Sequence, residues 1–396
     1  MVHGVALDRD ALYYPYVHIK DVNWLKATLL CFPNVRRMVP LNYQPNDSEE
    51  IKEFCQIAGP RGEALLTNVN LFSEAATEAE QYLLTELVQN DGFIRSKYSR
   101  RKTSEEIGPA TGQFRLHDEK IVPELYSYLM EGGPNDSLAW WAEHPDDRPD
   151  RHGRGHWLAL HPTLGSAILA IKAIAIAEDL GLDIVTDSSS VHHAVVSKRK
   201  KDIFNELIGE PTPNQPPTID DTVDDLAEVV LSTNFDVSKL SAKQIAELLA
   251  DGKDLRRFKE ALMPVAATIP AIRDSMEREK RLQAAAADVI AEWERYKKSL
   301  PPFALDAIVG AGEVKWPELA TTLLQGGVAW RIAGGVGLGI AVVSYAGFKV
   351  WRGYKEKKSS PYSYLSRIAS AQAKNQTLLT LPPLAEPSHD GQFSLF

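Results

Sequence analysis

A chain of 396 residues, 44% of them hydrophobic and 24% charged, can bury a core and fill two or three structural units. This excludes a wholly disordered chain, a collagen and a disulfide scaffold. Its 44 Lys and Arg against 53 Asp and Glu leave a net charge of −9, so any nucleic-acid contact must come from local basic patches. Two cysteines, Cys31 and Cys55, cannot form a cysteine-only zinc site and point to a reducing compartment. The first residues carry acids where a secretion signal needs an apolar run, so a cytoplasmic protein is expected.

The run from Ala11 to Tyr16 is apolar and β-prone and ends near Pro15. Asp21 can cap a helix carrying Trp24, Leu25, Thr28 and Leu29, and Val35 to Pro40 reads as a second strand. Strand, short helix, strand is the start of a parallel α/β sheet. Helices follow at 48–58 and 73–90. Residues 91–156 read as irregular and charge-rich, apart from a helix near Val122–Met130 that stops at Gly132, Gly133 and Pro134. A strand is expected at 156–160, a strongly apolar helix at Leu164–Leu180 interrupted by Lys172, and a buried strand at 183–187. Together these predict an α/β domain over 1–208 with a partly parallel sheet.

Residues 209–219 read as a Pro-rich linker. The pattern then turns helical over 220–325. Its clearest periodicity is Leu282, Ala286, Val289, Trp293, Tyr296 and Leu300, a seam that suits a helical hairpin within the chain or, as the alternative, a homodimer. A Gly-rich apolar helix is expected at 326–352. There Gly335, Gly337, Gly339 and Ala341 put small residues at close-packing spacing, which fits a packed helix or membrane association. The basic residues after Lys349 would keep the C-terminus cytoplasmic, a poor fit to a single-span anchor. A basic, aromatic segment follows over 353–370, and a flexible tail over 371–396. The expected fold is thus an α/β N-terminal domain, a mainly α-helical C-terminal region and a disordered tail.

Few motifs carry chemistry. Asp187 lies at a predicted strand's C-terminal end, where α/β sheets bind ligands, with Asp183, His192 and His193 near in sequence. These are weak candidates for a metal-dependent, nuclease-like site, and the plain reading is that Asp187 and Ser188 cap the next helix. His144, Asp146, Asp147, His152, His156 and His161 have metal-ligand side chains but no metal-site spacing, so no metal and no cofactor is expected. No P-loop, dinucleotide-binding or G-x-S-x-G motif occurs, and whether the chain is an enzyme stays open. Two basic clusters could meet DNA phosphates: Arg95, Lys97, Arg100, Arg101 and Lys102, and Lys198, Arg199, Lys200 and Lys201. A charge run is more often a solvated face.

The last five residues, Gln392, Phe393, Ser394, Leu395 and Phe396, resemble the bacterial sliding-clamp-binding motif: a glutamine, an aliphatic residue, a small or acidic residue, then Leu-Phe. The departure is Phe393, where leucine is usual. Leu395 and Phe396 would fill an apolar pocket, and Gln392 would orient the peptide through its amide. The stretch from Leu12 to Lys26, with Val35–Pro40, Trp157–Asp187 and Ser360–Arg367, resembles a bacterial family of unknown function. That resemblance implies a bacterial origin and supplies no catalytic residue. Three readings follow: an interaction protein tethered to the replication clamp, linked to DNA maintenance or phage defence; a membrane-associated or membrane-perturbing effector acting through 328–351; and a metal-dependent nuclease-like enzyme.

Overall fold

The protein is described by a computed structural model over residues 9–107, 113–142, 157–187, 200–210, 219–250, 252–269, 275–299 and 362–380. Strand β1 (Ala11–Tyr13) leads into helix α1 (Val22–Cys31), β2 (Val35–Arg37), α2 (Glu49–Phe54) and β3 (Leu66–Asn68). The Asp21 side chain accepts from the backbone N–H groups of Asn23 and Trp24, which starts α1 where the sequence places it. Ser48 and Ser73 do the same for α2 and α3 (Glu74–Gln89).

Residues 91–107 and 113–142 are more ordered than their charge suggests, and the helix expected near Val122–Met130 is among their elements. They form α4 (Asp91–Tyr98), α5 (Arg100–Ile107), β4 (Phe114–His117), a 3-10 turn (Asp118–Lys120), α6 (Pro123–Met130) and β5 (Ala139–Ala142). Each is at most eight residues long and buries only a few side chains, Ile94 and Tyr98 in α4 and Thr103 in α5. So short a stripe leaves little periodicity to detect.

β6 (Trp157–Leu160), α7 (Pro162–Leu180) and β7 (Asp183–Val185) follow. The order of the first sheet is β3-β2-β1-β7, and every pair is parallel. β6 does not open a second parallel unit. It is the middle strand of a separate antiparallel sheet, β4-β6-β5, and α7 carries the chain from there to the parallel sheet. α7 has no polar face because it is buried almost all round. Gly181 ends it in the left-handed conformation (φ 63°). Gly165 lets it approach β4, since a Cβ there would lie 2.4 Å from the Phe114 ring.

Successive residues of β1 enter different cores. Ala11 and Tyr13 join one cluster with α1, and Leu12 and Tyr14 join a second with α3 and α7. This is the two-sided burial of a parallel strand. After α8 (Lys200–Leu207), the chain is helical: α9 (Ile219–Asn234), α10 (Ala242–Leu249), α11 (Lys253–Ala266), α12 (Ser275–Ser299) and α13 (Ser363–Thr380). These helices extend the α1-side core, so one apolar cluster joins both sides of the 209–219 linker.

The seam residues Leu282, Ala286, Val289 and Trp293 are buried in that cluster, with the Trp293 ring 5.4 Å from that of Phe235. The seam is therefore occupied within the chain. α13 runs beyond Ala371, where the sequence pattern fades, as far as Thr380. Its Tyr364 hydroxyl donates to the Leu30 carbonyl at 2.7 Å, tying it to α1. The Gly-rich segment with Gly335, Gly337, Gly339 and Ala341, the 353–361 stretch and the 381–396 tail lie outside the described residues. Among the described residues, no helix is long and apolar enough to cross a membrane.

Candidate functional site

The parallel sheet reverses its strand order at β1. The chain passes to β2 and β3 through α1 and α2, whereas β7 arrives on β1's other side through α7. The loops leaving the carboxyl ends of the strands diverge at such a point and open a crevice. Asp187 stands there, two residues beyond β7. Its carboxyl is pushed up by burial, and the hydrogen bond from Tyr13 opposes that shift. Tyr13 also donates to the His18 carbonyl at 3.1 Å, and its ring meets that of Trp24 at a tilt, 5.0 Å between centroids.

Asp183 begins β7 and Asp187 lies past its end, so the strand separates the two carboxylates by roughly 13 Å at about 3.3 Å per residue. Asp183 belongs to the other edge of the sheet, paired with Arg9 at 3.2 Å. Burial and Asp224 raise its pKa to about 6 against the pull of Arg9. The two carboxylates named as a metal pair are therefore not brought together. His192 and His193 lie outside the described residues. No group of three or more potential ligands that could hold a metal occurs among the described residues.

The same carboxyl edge carries a second cluster that sequence reasoning missed. His18, in the loop after β1, bonds through Nε2 to the Tyr43 hydroxyl at 2.9 Å. The Tyr43 ring, in the loop after β2, meets His117 at 5.3 Å and Trp157 at 5.8 Å, both edge-on. His117 Nδ1 accepts from the Glu119 backbone N–H, which leaves its proton on Nε2 in the neutral ring. The Asn42 amide reaches Glu119 at 3.0 Å and ties the β2 loop to the 118–120 turn.

Beneath these loops lie three buried ionisable side chains. Lys172 of α7 bonds to Glu80 of α3 at 3.2 Å and to the Lys120 carbonyl at 2.5 Å, and its ammonium sits 4.5 Å from the Phe72 ring. Glu80 also accepts from the Val122 N–H at 3.1 Å. Lys120, 3% exposed, donates to the Pro15 carbonyl at 3.4 Å. Burial and the Lys172 charge lower its pKa to about 7. Burial raises Glu80 to about 7 against the pull of Lys172. The one sequence signal for this cluster was Lys172, the lone cation in an apolar helix.

The basic clusters are largely engaged inside the protein. Arg95 bonds to Asp91 at 2.8 Å and to the carbonyls of Glu131 and Asp136 at 2.7 and 3.1 Å, pinning the turn after α6. Lys97 lies over the rings of Phe93 and Tyr98, and Arg100 over Trp140 at 5.5 Å. Arg101 and Lys102 share Glu105. Lys200 pairs with Glu178 at 2.8 Å, Lys201 is exposed, and Lys198 and Arg199 lie outside the described residues. The fold does bring the two clusters onto neighbouring helices, since the Tyr98 hydroxyl donates to the Leu207 carbonyl at 2.6 Å. Acids interleave with both.

Gln392, Phe393, Leu395 and Phe396 also lie outside the described residues. No protein-family model, curated protein or solved structure matches the chain.

Proposed function

We propose that this chain is an interaction protein that docks on a bacterial sliding clamp through its last five residues and serves in DNA maintenance or phage defence. The observation that carries this reading is the pattern Gln392, Phe393, Ser394, Leu395, Phe396. A short extended peptide draws its affinity from a few side chains set in preformed pockets. Leu395 and Phe396 supply two such anchors, and Gln392 supplies an amide that both donates and accepts.

Two features of the fold are compatible with this role. The last described residues that join the apolar core are Ile368, Ala369 and Ala371. Eleven residues separate the end of α13 from Gln392, and at most about 40 Å can be spanned by that length of chain. Phe393 in place of the usual aliphatic residue lowers affinity without altering the register of the anchors.

The double variant Leu395→Ala, Phe396→Ala in the full chain tests the reading. Capture on an immobilised bacterial clamp should fall at least tenfold, while the far-ultraviolet circular dichroism stays unchanged. Equal capture of both proteins would refute the assignment.

A further inference from the structure

Alternation sorts the residues at the carboxyl edge of the parallel sheet between its two faces. Ala11 and Tyr13 of β1 lie on the side covered by α1, and Val185 of β7 and Trp24 of α1 pack there too. Tyr13 and Val185 are partners in register, so Asp187, two residues further on, continues on the same side. The Tyr13 hydroxyl donates to its carboxylate. The Tyr13 ring meets that of Trp24, 5.0 Å between centroids. Tyr13 itself is fully buried, so it joins the carboxylate and the indole from beneath.

These surroundings favour positive charge. The Tyr13 hydroxyl also meets the His18 carbonyl at 3.1 Å, which brings a second kind of oxygen close to the carboxylate. Tyr16, 46% exposed, has its hydroxyl pushed up by burial and by the Asp187 charge, so it stands within electrostatic range of that carboxylate. Asp21 and Lys20 act on Asp187 with opposite signs. Arg37, behind Tyr13, is bonded to Asp47 at 2.7 Å. Aromatic faces carry the negative part of the ring quadrupole and attract a weakly hydrated cation. A magnesium or calcium ion needs several oxygen ligands, and no group of three or more candidate ligand side chains occurs among the described residues. An organic ammonium ion needs one carboxylate and aromatic walls. Loops that diverge where the strand order reverses give it a place to enter.

We propose that the crevice between the loop after β1 and the end of β7 binds a small organic ammonium ion with an apolar body, whose charge pairs with Asp187 and whose body lies against Trp24 and Tyr16. Tyr13 is a positioning residue: its hydroxyl holds the carboxylate in place and keeps it ionised. The inference does not depend on clamp binding, and its test uses no clamp.

Calorimetry on the full chain at pH 7.5 reads the proposal directly, with phenethylamine, phenylacetate and ammonium chloride as probes. Phenethylamine should bind at least tenfold more tightly than phenylacetate, which has the same body and the opposite charge, and than ammonium, which has no body. Asp187→Asn keeps the shape and a hydrogen-bond acceptor, and should weaken phenethylamine binding at least tenfold while the far-ultraviolet circular dichroism stays unchanged. Tyr16→Ala changes an exposed residue and should weaken binding severalfold even if the Asp187 variant does not fold. Wild-type affinity should fall in acid as Asp187 takes up its proton. Tyr13→Phe removes a hydrogen bond that favours the carboxylate, so that fall should begin at higher pH; a merely structural role for Tyr13 would lower affinity equally at every pH. Absence of phenethylamine binding at millimolar concentration, equal binding of phenylacetate, or full affinity in a folded Asp187→Asn protein would overturn the proposal.

Discussion

At the residue scale, the buried charges are the most informative feature of the molecule, and they fix how its stability depends on pH. Glu228 of α9 has its pKa pushed up to about 7 by burial and by the neighbouring Asp225 and Asp224. A carboxyl raised above its unfolded value stabilises the fold when protonated, and that contribution is lost as pH rises from about 4.5 to 7. Lys120 is the opposite case. Its lowered pKa gives a contribution that is present above about 10.5 and lost as pH falls to about 7. Each slope approaches about 1.4 kcal/mol per pH unit for one proton.

Denaturant melts should therefore show the stability of wild type relative to Glu228→Gln falling as pH rises from 4.5 to 7. The stability of wild type relative to Lys120→Met should rise as pH rises from 7 to 10. Differences that stay flat across both windows would show that neither group is held at a displaced pKa. None of this was legible in the sequence. A lysine in a turn and a glutamate on an amphipathic helix look solvent-exposed until tertiary packing buries the first and partly covers the second. Lys172 alone stood out, because an apolar helix surrounded it.

At the element scale, what could be read depended on length and capping. Helices α1, α2 and α3 begin at Asp21, Ser48 and Ser73, where side-chain oxygens meet the first free N–H groups. Of the strands of the parallel sheet, β1, β2 and β7 were legible as short apolar runs between helical ones, and β3 was not. In 91–142 only α6 was legible, because the other described elements bury one or two side chains each and depend on partners distant in the chain. β6 shows the same limit: Trp157–Leu160 reads as a strand, but its pairing with β4 and β5 is set by two segments whose own signals are weak.

Two substitutions test this packing. Gly165→Ala places a methyl group 2.4 Å from the Phe114 ring and should cost about 1–3 kcal/mol in chemical denaturation. Trp293→Ala empties the position where α12 meets α9 and should cost about 3–5 kcal/mol. A loss below about 1 kcal/mol at Trp293 would mean that the seam is not held within the chain. The candidate site divides along the same line. Asp187 was found because strand ends have a readable signature, and its separation from Asp183 needed only the strand's direction. The cluster of His18, Tyr43, His117 and Lys120 comes from three loops or turns far apart in sequence, and no local pattern joins them.

At the scale of the whole molecule, α12 and the segment from Tyr362 through α13 share the helical core. Tyr364, Leu365 and Ile368 share a cluster with Leu282 and Trp293, and Arg367 bonds to Asp254 of α11 at 2.7 Å. Both flanks of residues 300–361 therefore sit on one folded body. Removal of α13 by truncation after Ser299 should expose the face of α1, α10 and α11 that Tyr364, Leu365 and Ile368 cover, and should lower the thermal midpoint by several degrees. An unchanged midpoint would show that α13 does not hold the core.

The central claim is that the C-terminal pentapeptide docks this body on a sliding clamp, and the most direct test is the binding isotherm of the purified full chain with a bacterial clamp. It should be compared with a chain ending at Gly391. The account predicts micromolar affinity for the full chain, about −8 kcal/mol, and no measurable binding for the shortened one. Binding that survives removal of Gln392–Phe396, or no binding by either chain, would contradict it.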